Sequence, residues 1–308
     1  MKGIFQVGYR SVVAALALGA GAGRTAAQQC GPPALDRPAP RPDLVVSTAW
    51  LAAHLHDPGV VVVHVDHDPE TFRAAHLPGA RYADAMAFAA GDHDLPAAAD
   101  LRRLVENLGI GPDDRVVLYG ESWHVGWLYL ALDRLGHGSR AALLDGGLAQ
   151  WRLEGRPVES GPPPAEPRGR LTAREHDVVV PTDWLRDRLG GRRLALIDVR
   201  SRDEYVAGHI PTARHLDWSR VFTRPDSALA GVASLLVSAD RLDAMFRAAG
   251  AAPGKEIVLY CTVGVRASLM YLLAKRLGYS PRLYDGSWAA WSGAGLPTAT
   301  GPEPGVAR

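Results

Sequence analysis

The pattern of apolar and polar positions runs twice through one programme. Each pass opens with a short apolar run, a Ser/Thr position and a Trp-Leu pair. The first copy is Asp43-Leu44-Val45-Val46-Ser47-Thr48-Ala49-Trp50-Leu51, and the second is Val178-Val179-Val180-Pro181-Thr182-Asp183-Trp184-Leu185. This predicts a strand, a helix cap and a helix start, because a Ser or Thr hydroxyl accepts from the N–H groups that a helix's first turn leaves unbonded. Unbroken apolar runs at 60–65 and 194–199 predict buried strands. An acidic turn follows each, then His76-Leu77-Pro78-Gly79-Ala80 or His209-Ile210-Pro211-Thr212-Ala213. Helices are predicted over 100–108 and 239–249, ending at Gly109 and Gly250, with strands over 115–119 and 256–260 after them. A further helix in each half ends in Leu-Gly, at Leu135-Gly136 and Leu277-Gly278. Each half closes with Asp-Gly-x-x-x-x-Trp, at 145–151 and 285–291.

Strands alternating with helices indicate an α/β fold, a mostly parallel sheet flanked by helices. The matching places of Asp66 and Asp198, and of Tyr119 and Tyr260, set a period far longer than the roughly 20–50 residues of a solenoid. The chain is therefore expected to hold two homologous domains, at 43–154 and 178–300, with 155–177 as a Pro-rich linker.

The first residues follow another logic. Lys2 and Arg10 precede an apolar stretch, 12–23, and then the small residues Thr25-Ala26-Ala27. That order predicts a secretory signal peptide, 1–27, followed by a Pro-rich linker, 28–42, and hence a secreted, periplasmic protein without stable membrane insertion after cleavage. The apolar stretch is shorter than the roughly 20 residues of a membrane span. A lipoprotein site at Cys30 is the competing reading, disfavoured because Gln28 and Gln29 stand where small residues are expected.

The 308 residues suit about two domains. With 34 Lys+Arg against 33 Asp+Glu, the chain lacks the basic excess of a broad nucleic-acid binder. Two cysteines exclude a disulfide framework and a cysteine-rich zinc or iron–sulfur site, so thiol chemistry rests on Cys30 or Cys261. The eleven His are scattered, without metal-ligand spacing, so neither metal nor cofactor is expected.

The two halves differ at the end of the strand before the last long helix. The second reads Val258-Leu259-Tyr260-Cys261-Thr262-Val263-Gly264-Val265-Arg266-Ala267-Ser268, and the first Val117-Leu118-Tyr119-Gly120-Glu121-Ser122-Trp123-His124. Ligands of open α/β sheets bind outside the carboxyl ends of the strands. Cys261 is expected there, just before a helix N-terminus whose N–H groups curl around an anion. The helix dipole and Arg266 both favour thiolate over thiol. A cation in a helix's first turn is poorly placed electrostatically, which argues that Arg266 faces an anion. The bland reading of Cys261 is a small buried hydrophobe.

At these residues the chain resembles the tandem-domain rhodanese family of sulfurtransferases, over essentially all of the mature sequence. The resemblance rests on the duplicated His-Ile/Leu-Pro-x-Ala turn, Asp198-Val199-Arg200-Ser201-x-x-Glu204-Tyr205, the Cys261 loop and Asp285-Gly286-Ser287-x-x-x-Trp291. It implies two rhodanese-like domains, the N-terminal one inactive, which fits Gly120 against Cys261. It implies a monomer and a two-step reaction. The Cys261 thiolate takes the outer sulfur of a small-molecule donor as a persulfide, releasing sulfite from thiosulfate, and a thiol or cyanide acceptor removes it. Backbone amides from Thr262 through Val263, Gly264, Val265 and Arg266 to Ala267 would stabilise the sulfur, and Arg266 would bind the anionic donor.

Three rivals stand beside thiosulfate. Cys-dependent phosphatases of this fold place Arg one residue later, where this chain has Ala267. 3-Mercaptopyruvate sulfurtransferases resemble it equally well but carry a Cys-Gly-Ser-Gly-Val-Thr loop and an arginine near the position of Glu204, whose charge repels a carboxylate. A non-catalytic persulfide carrier would keep the same loop. His76 and His209 read as structural turns, with His76 the better supporting candidate. Asp198 and Arg200 read as a bracing pair, Asp285 and Trp291 as scaffold, and His124 as filler of the degenerate loop.

Overall fold

The computed structural model describes residues 39–88, 95–120, 122–164, 168–172, 174–224 and 234–306. The expected signal peptide and Cys30 lie outside these residues.

The first half contains β1 (Val45–Val46), α1 (Thr48–His54), β2 (Val60–Asp66), α2 (Pro69–Ala74), β3 (Arg81–Asp84), α3 (Ala98–Asn107), β4 (Arg115–Gly120), α4 (Ser122–Arg134), β5 (Ala141–Leu144) and α5 (Gly147–Leu153). The second repeats it as β6 (Val179–Val180), α6 (Thr182–Arg186), β7 (Leu194–Asp198), α7 (Arg202–Ala207), β8 (Arg214–His215), α8 (Ala239–Ala248), β9 (Glu256–Tyr260), α9 (Val265–Arg276), β10 (Pro281–Tyr284) and α10 (Ser287–Gly293). The sheets have the same strand order, β1-β5-β4-β2-β3 and β6-β10-β9-β7-β8, parallel at every pairing. β4 and β9 are central, so their carboxyl ends open where helices cover both faces.

The caps follow the expected programme in one half and depart from it in the other. Ser47 caps α1 by accepting from the Trp50 N–H at 3.1 Å. At α6 the cap position is Pro181, and Thr182 turns inward to bond the Tyr284 hydroxyl at 2.9 Å. α3 and α8 bury one stripe each, Leu101/Val105 and Leu242/Phe246, as amphipathic helices do. In contrast, α9 is buried continuously from Ala267 to Ala274 and α4 from Val125 to Leu132. They have no polar face because each lies between its own sheet and the other helix. A Cβ at Gly126 would stand 2.3 Å from the Leu269 nitrogen, so glycine is what lets the two backbones touch. Asp133 ties the pair together, accepting from the Tyr271 hydroxyl at 2.6 Å beside Lys275 at 3.0 Å.

The described parts of the linker are fastened to the first domain. Glu159 bridges to His76, the Gly169 N–H donates to the Glu106 carbonyl at 2.7 Å, and His176 N–H to the Arg134 carbonyl at 2.8 Å. At the other end the chain continues past residue 300 onto α7 and the 209–213 turn, with bonds from Gly301 N–H to Val206 and from Thr212 N–H to Pro304. No helix among the described residues is long and apolar enough to cross a membrane.

Candidate active site

Cys261 immediately follows β9 and is 1% exposed. The loop 261–264 closes at Gly264, whose φ of +86° turns the chain into α9. The first turn of α9 carries backbone N–H groups without intrahelical acceptors, directed back toward the loop. Two bonds hold the loop from behind. The Trp288 N–H donates to the Cys261 carbonyl and the Ala289 N–H to the Thr262 carbonyl, both at 3.0 Å. A third runs from the Cys261 N–H to Ser287 Oγ at 3.3 Å, while that hydroxyl donates to the Tyr284 carbonyl at 2.8 Å. Ser287 has a φ of +52°, a value also adopted by Gly147, its counterpart in the first half. A left-handed backbone costs a non-glycine residue about 1–3 kcal/mol and persists where its surroundings enforce it.

Arg266 does face an anion, but an internal one. Its guanidinium donates to Glu204 Oε2 at 2.7 Å, to Glu204 Oε1 at 2.8 Å and to Thr262 Oγ1 at 2.6 Å, and Thr262 Oγ1 donates to Glu204 at 3.0 Å. Glu204 is fixed in turn by a capping box with Ser201 at the start of α7. Burial works against the Arg266 charge, but the Glu204 bonds and the nearby Cys261 outweigh it and raise its pKa. The Arg266 bonds hold the Glu204 carboxyl well below the usual carboxylate range, against the opposing push of burial. This changes two expectations. The fork assigned to the donor is committed to Glu204, and the Glu204 charge expected to repel a carboxylate is compensated.

A cavity of about 540 Å³ opens over the thiol, within the range that accepts small molecules. The second domain lines it with Ser201, Asp217, Trp218, Ser219, Cys261, Thr262, Val263, Val265 and Arg266. The first contributes Trp123 and His124. Trp123 and Trp218 meet across the domain boundary with ring centroids 5.4 Å apart. His124 is thus a cavity wall and not loop filler. No repeat or motif marked Trp218, whose ring partner Trp123 lies in the other domain.

Gly264 and Ala267 shape the loop without lining the cavity. Asp198 and Arg200 form a buried bidentate pair, with Nη2 to Oδ2 at 2.6 Å. The guanidinium also donates to the Gly208 carbonyl at 2.6 Å and lies 4.7 Å from the Trp288 ring, so it braces the helix that holds the loop. His76 is not brought to the cavity. Its ring stacks on Phe72 at 3.9 Å and bonds the Phe72 carbonyl at 2.8 Å, as His209 does with Tyr205 at 3.9 and 2.9 Å. The same geometry in a domain with a cysteine and one without is a property of the turn.

The corresponding position of the first half is closed sterically. Gly120 has a φ of +139°, and a Cβ there would lie 2.0 Å from the Val65 carbonyl oxygen. No side chain can stand where Cys261 stands in the second half.

Residues 47–154 and 181–294 each match the rhodanese-like domain. The sulfur carrier protein TtuD of Thermus thermophilus is 32% identical, covering 85% of this chain and 98% of its own. A thiosulfate sulfurtransferase of Azotobacter vinelandii is 34% identical over 80% of this chain and 93% of its own. Among solved structures, SseA from Escherichia coli, described for the rhodanese fold of 3-mercaptopyruvate sulfotransferases, superposes with a TM-score of 0.69 at 25% identity, covering 80% of this chain and 98% of that one. The chain belongs to the rhodanese-like family of sulfurtransferases, as two tandem domains.

Proposed function

We propose that this protein is a thiosulfate sulfurtransferase in which Cys261 carries the sulfur. The thiolate attacks the outer sulfur of thiosulfate, a new S–S bond forms, and the old one breaks with its electron pair leaving on sulfite. A cyanide or thiolate acceptor then attacks the outer sulfur and restores the Cys261 thiolate. The observation that carries this reading is the nucleophile at a strand end, against the open N–H groups of α9 and beneath a cavity of small-molecule size. Arg266 acts mainly by fixing the loop and supplying a guanidinium beside the sulfur, since Glu204 already takes its fork. The leader read from the sequence supports export to the periplasm.

Incubation with thiosulfate should add the mass of one sulfur atom, and cyanide should then release it as thiocyanate. Cys261→Ser should fold normally and lose both steps; full turnover in that variant would refute the mechanism. The relationship to a sulfur carrier favours a second reading, in which Cys261 loads but turns over poorly with small acceptors. A kcat/KM for 3-mercaptopyruvate above that for thiosulfate would reassign the donor.

A further inference from the structure

The first domain carries a second cluster of chemical groups. Asp66, at the end of β2, His67 beside it and His124 on α4 bring one carboxylate oxygen and two imidazole nitrogens within 4.8 Å of one another. Sequence spacing shows no such site, because His124 arrives from a different strand–helix unit. We propose that these three residues bind a first-row divalent cation of the Zn²⁺ type, with one coordination position left open, beside the cavity over Cys261.

The comparison between halves explains why this carboxylate is available. In the second half the equivalent of Asp66 is Asp198, neutralised by Arg200. In the first half the position of Arg200 is held by Asp68, so Asp66 has no guanidinium. It is buried all the same, and its charge is met by imidazoles. His67 Nδ1 lies 3.3 Å from Asp66 Oδ1, and His64 Nε2 lies 3.7 Å from Asp66 Oδ2. A buried carboxylate needs a cation or a set of donors. A divalent ion shared by the carboxylate and the imidazoles would meet that need directly.

The donor set and its setting suit the ion. Two imidazoles and one carboxylate leave a fourth tetrahedral position open, as in catalytic rather than closed structural sites. Donors around one Zn²⁺ stand roughly 3.3–3.5 Å apart, given bond lengths near 2.0–2.2 Å. The Asp66–His67 pair already meets this. His67 is 55% exposed, and its ring sits edge-on to that of His124 with centroids 5.2 Å apart. The Asp68 N–H donates to Asp66 Oδ1 at 3.0 Å, and such outer bonds orient a metal-binding carboxylate. Of the three residues, His124 forms part of the wall of the cavity that holds Cys261, so the ion would stand beside that cavity.

The test is calorimetric titration of Zn²⁺ into the untagged full chain, with the Cys261→Ser variant as the decisive background. That background separates the inference from the sulfur-transfer reading: the variant is inactive yet should still bind one Zn²⁺ equivalent. In it, His67→Ala and His124→Gln should each weaken binding roughly tenfold or more. His67 is exposed, so its replacement leaves the fold intact, and matching thermal transitions check the His124 variant. With Co²⁺ as probe, the d–d bands should report nitrogen and oxygen ligands with no thiolate-to-metal charge transfer. Binding that vanishes with Cys261, binding unchanged by His67→Ala, or no binding at all would each overturn the proposal.

Discussion

Ser287 and Glu204 show how single side chains hold the thiol loop. Ser287 adopts the left-handed backbone that its counterpart Gly147 adopts without strain, and its hydroxyl meets the Cys261 N–H. Strain of about 1–3 kcal/mol and a hydrogen bond of about 0.5–1.5 kcal/mol act in opposite directions and largely offset. Ser287→Gly should therefore leave the melting temperature nearly unchanged while lowering kcat, because the loop loses its tether. Ser287→Ala keeps the strain, loses the bond and should lower both. Equal activity of all three proteins would remove Ser287 from the site. Glu204 makes a pH prediction. Folding lowers its pKa, chiefly through Arg266, so the stabilisation is complete above the ordinary carboxylate range and fades as pH falls toward the depressed value. The pair is partly exposed, so Glu204→Gln should cost no more than about 1 kcal/mol at neutral pH. The gap to wild type should shrink on acidification below about pH 4. Urea midpoints measured across that range check it, and a gap that widens in acid would contradict the assignment.

At the scale of elements, the sequence announced what is local and periodic. The strands, the Gly-terminated amphipathic helices and the repeated Asp-Gly-x-x-x-x-Trp turns all reappear with boundaries moved by a residue or two. Trp151 and Trp291 bond the Pro157 and Pro297 carbonyls at 2.7 and 2.8 Å, one device used twice. Cys261 was legible for a related reason: a repeat exposes the one place where its copies differ. The partners of Arg266 and of His124 were not legible, since each is set by elements distant in the chain. The α4–α9 contact was equally hidden, because a helix without a polar face has no periodicity to read. Gly126→Ala tests that contact. Its Cβ would meet α9 backbone, which cannot yield as a flexible side chain can, so the variant should lose about 1–3 kcal/mol although alanine favours helices. A neutral or stabilising effect would show that the helices can part at little cost.

At the scale of the whole molecule, the two domains are locked by a reciprocal pair of carboxylates from the duplicated turns. Asp145 of the first domain accepts the Leu236 N–H of the second at 2.9 Å. Asp285 of the second accepts the Leu95 N–H of the first. The turns that sequence reading takes for scaffold thus also align the walls of the cavity, where Trp123 meets Trp218. Replacing either carboxylate by Ala takes the acceptor from a partly buried N–H, at a cost of about 1 kcal/mol each. The larger consequence is geometric. A small rotation between domains separates the Trp123–His124 wall from the Cys261 loop without disturbing the loop itself. Asp145→Ala should therefore raise the KM for the sulfur donor more than it lowers the rate at which a saturating donor loads Cys261. Near-ultraviolet dichroism should lose signal from the Trp123–Trp218 pair at the same time. A variant with unchanged KM and dichroism but a lower melting temperature would confine Asp145 to stability, and the first domain would then be a support for the active site and not part of it.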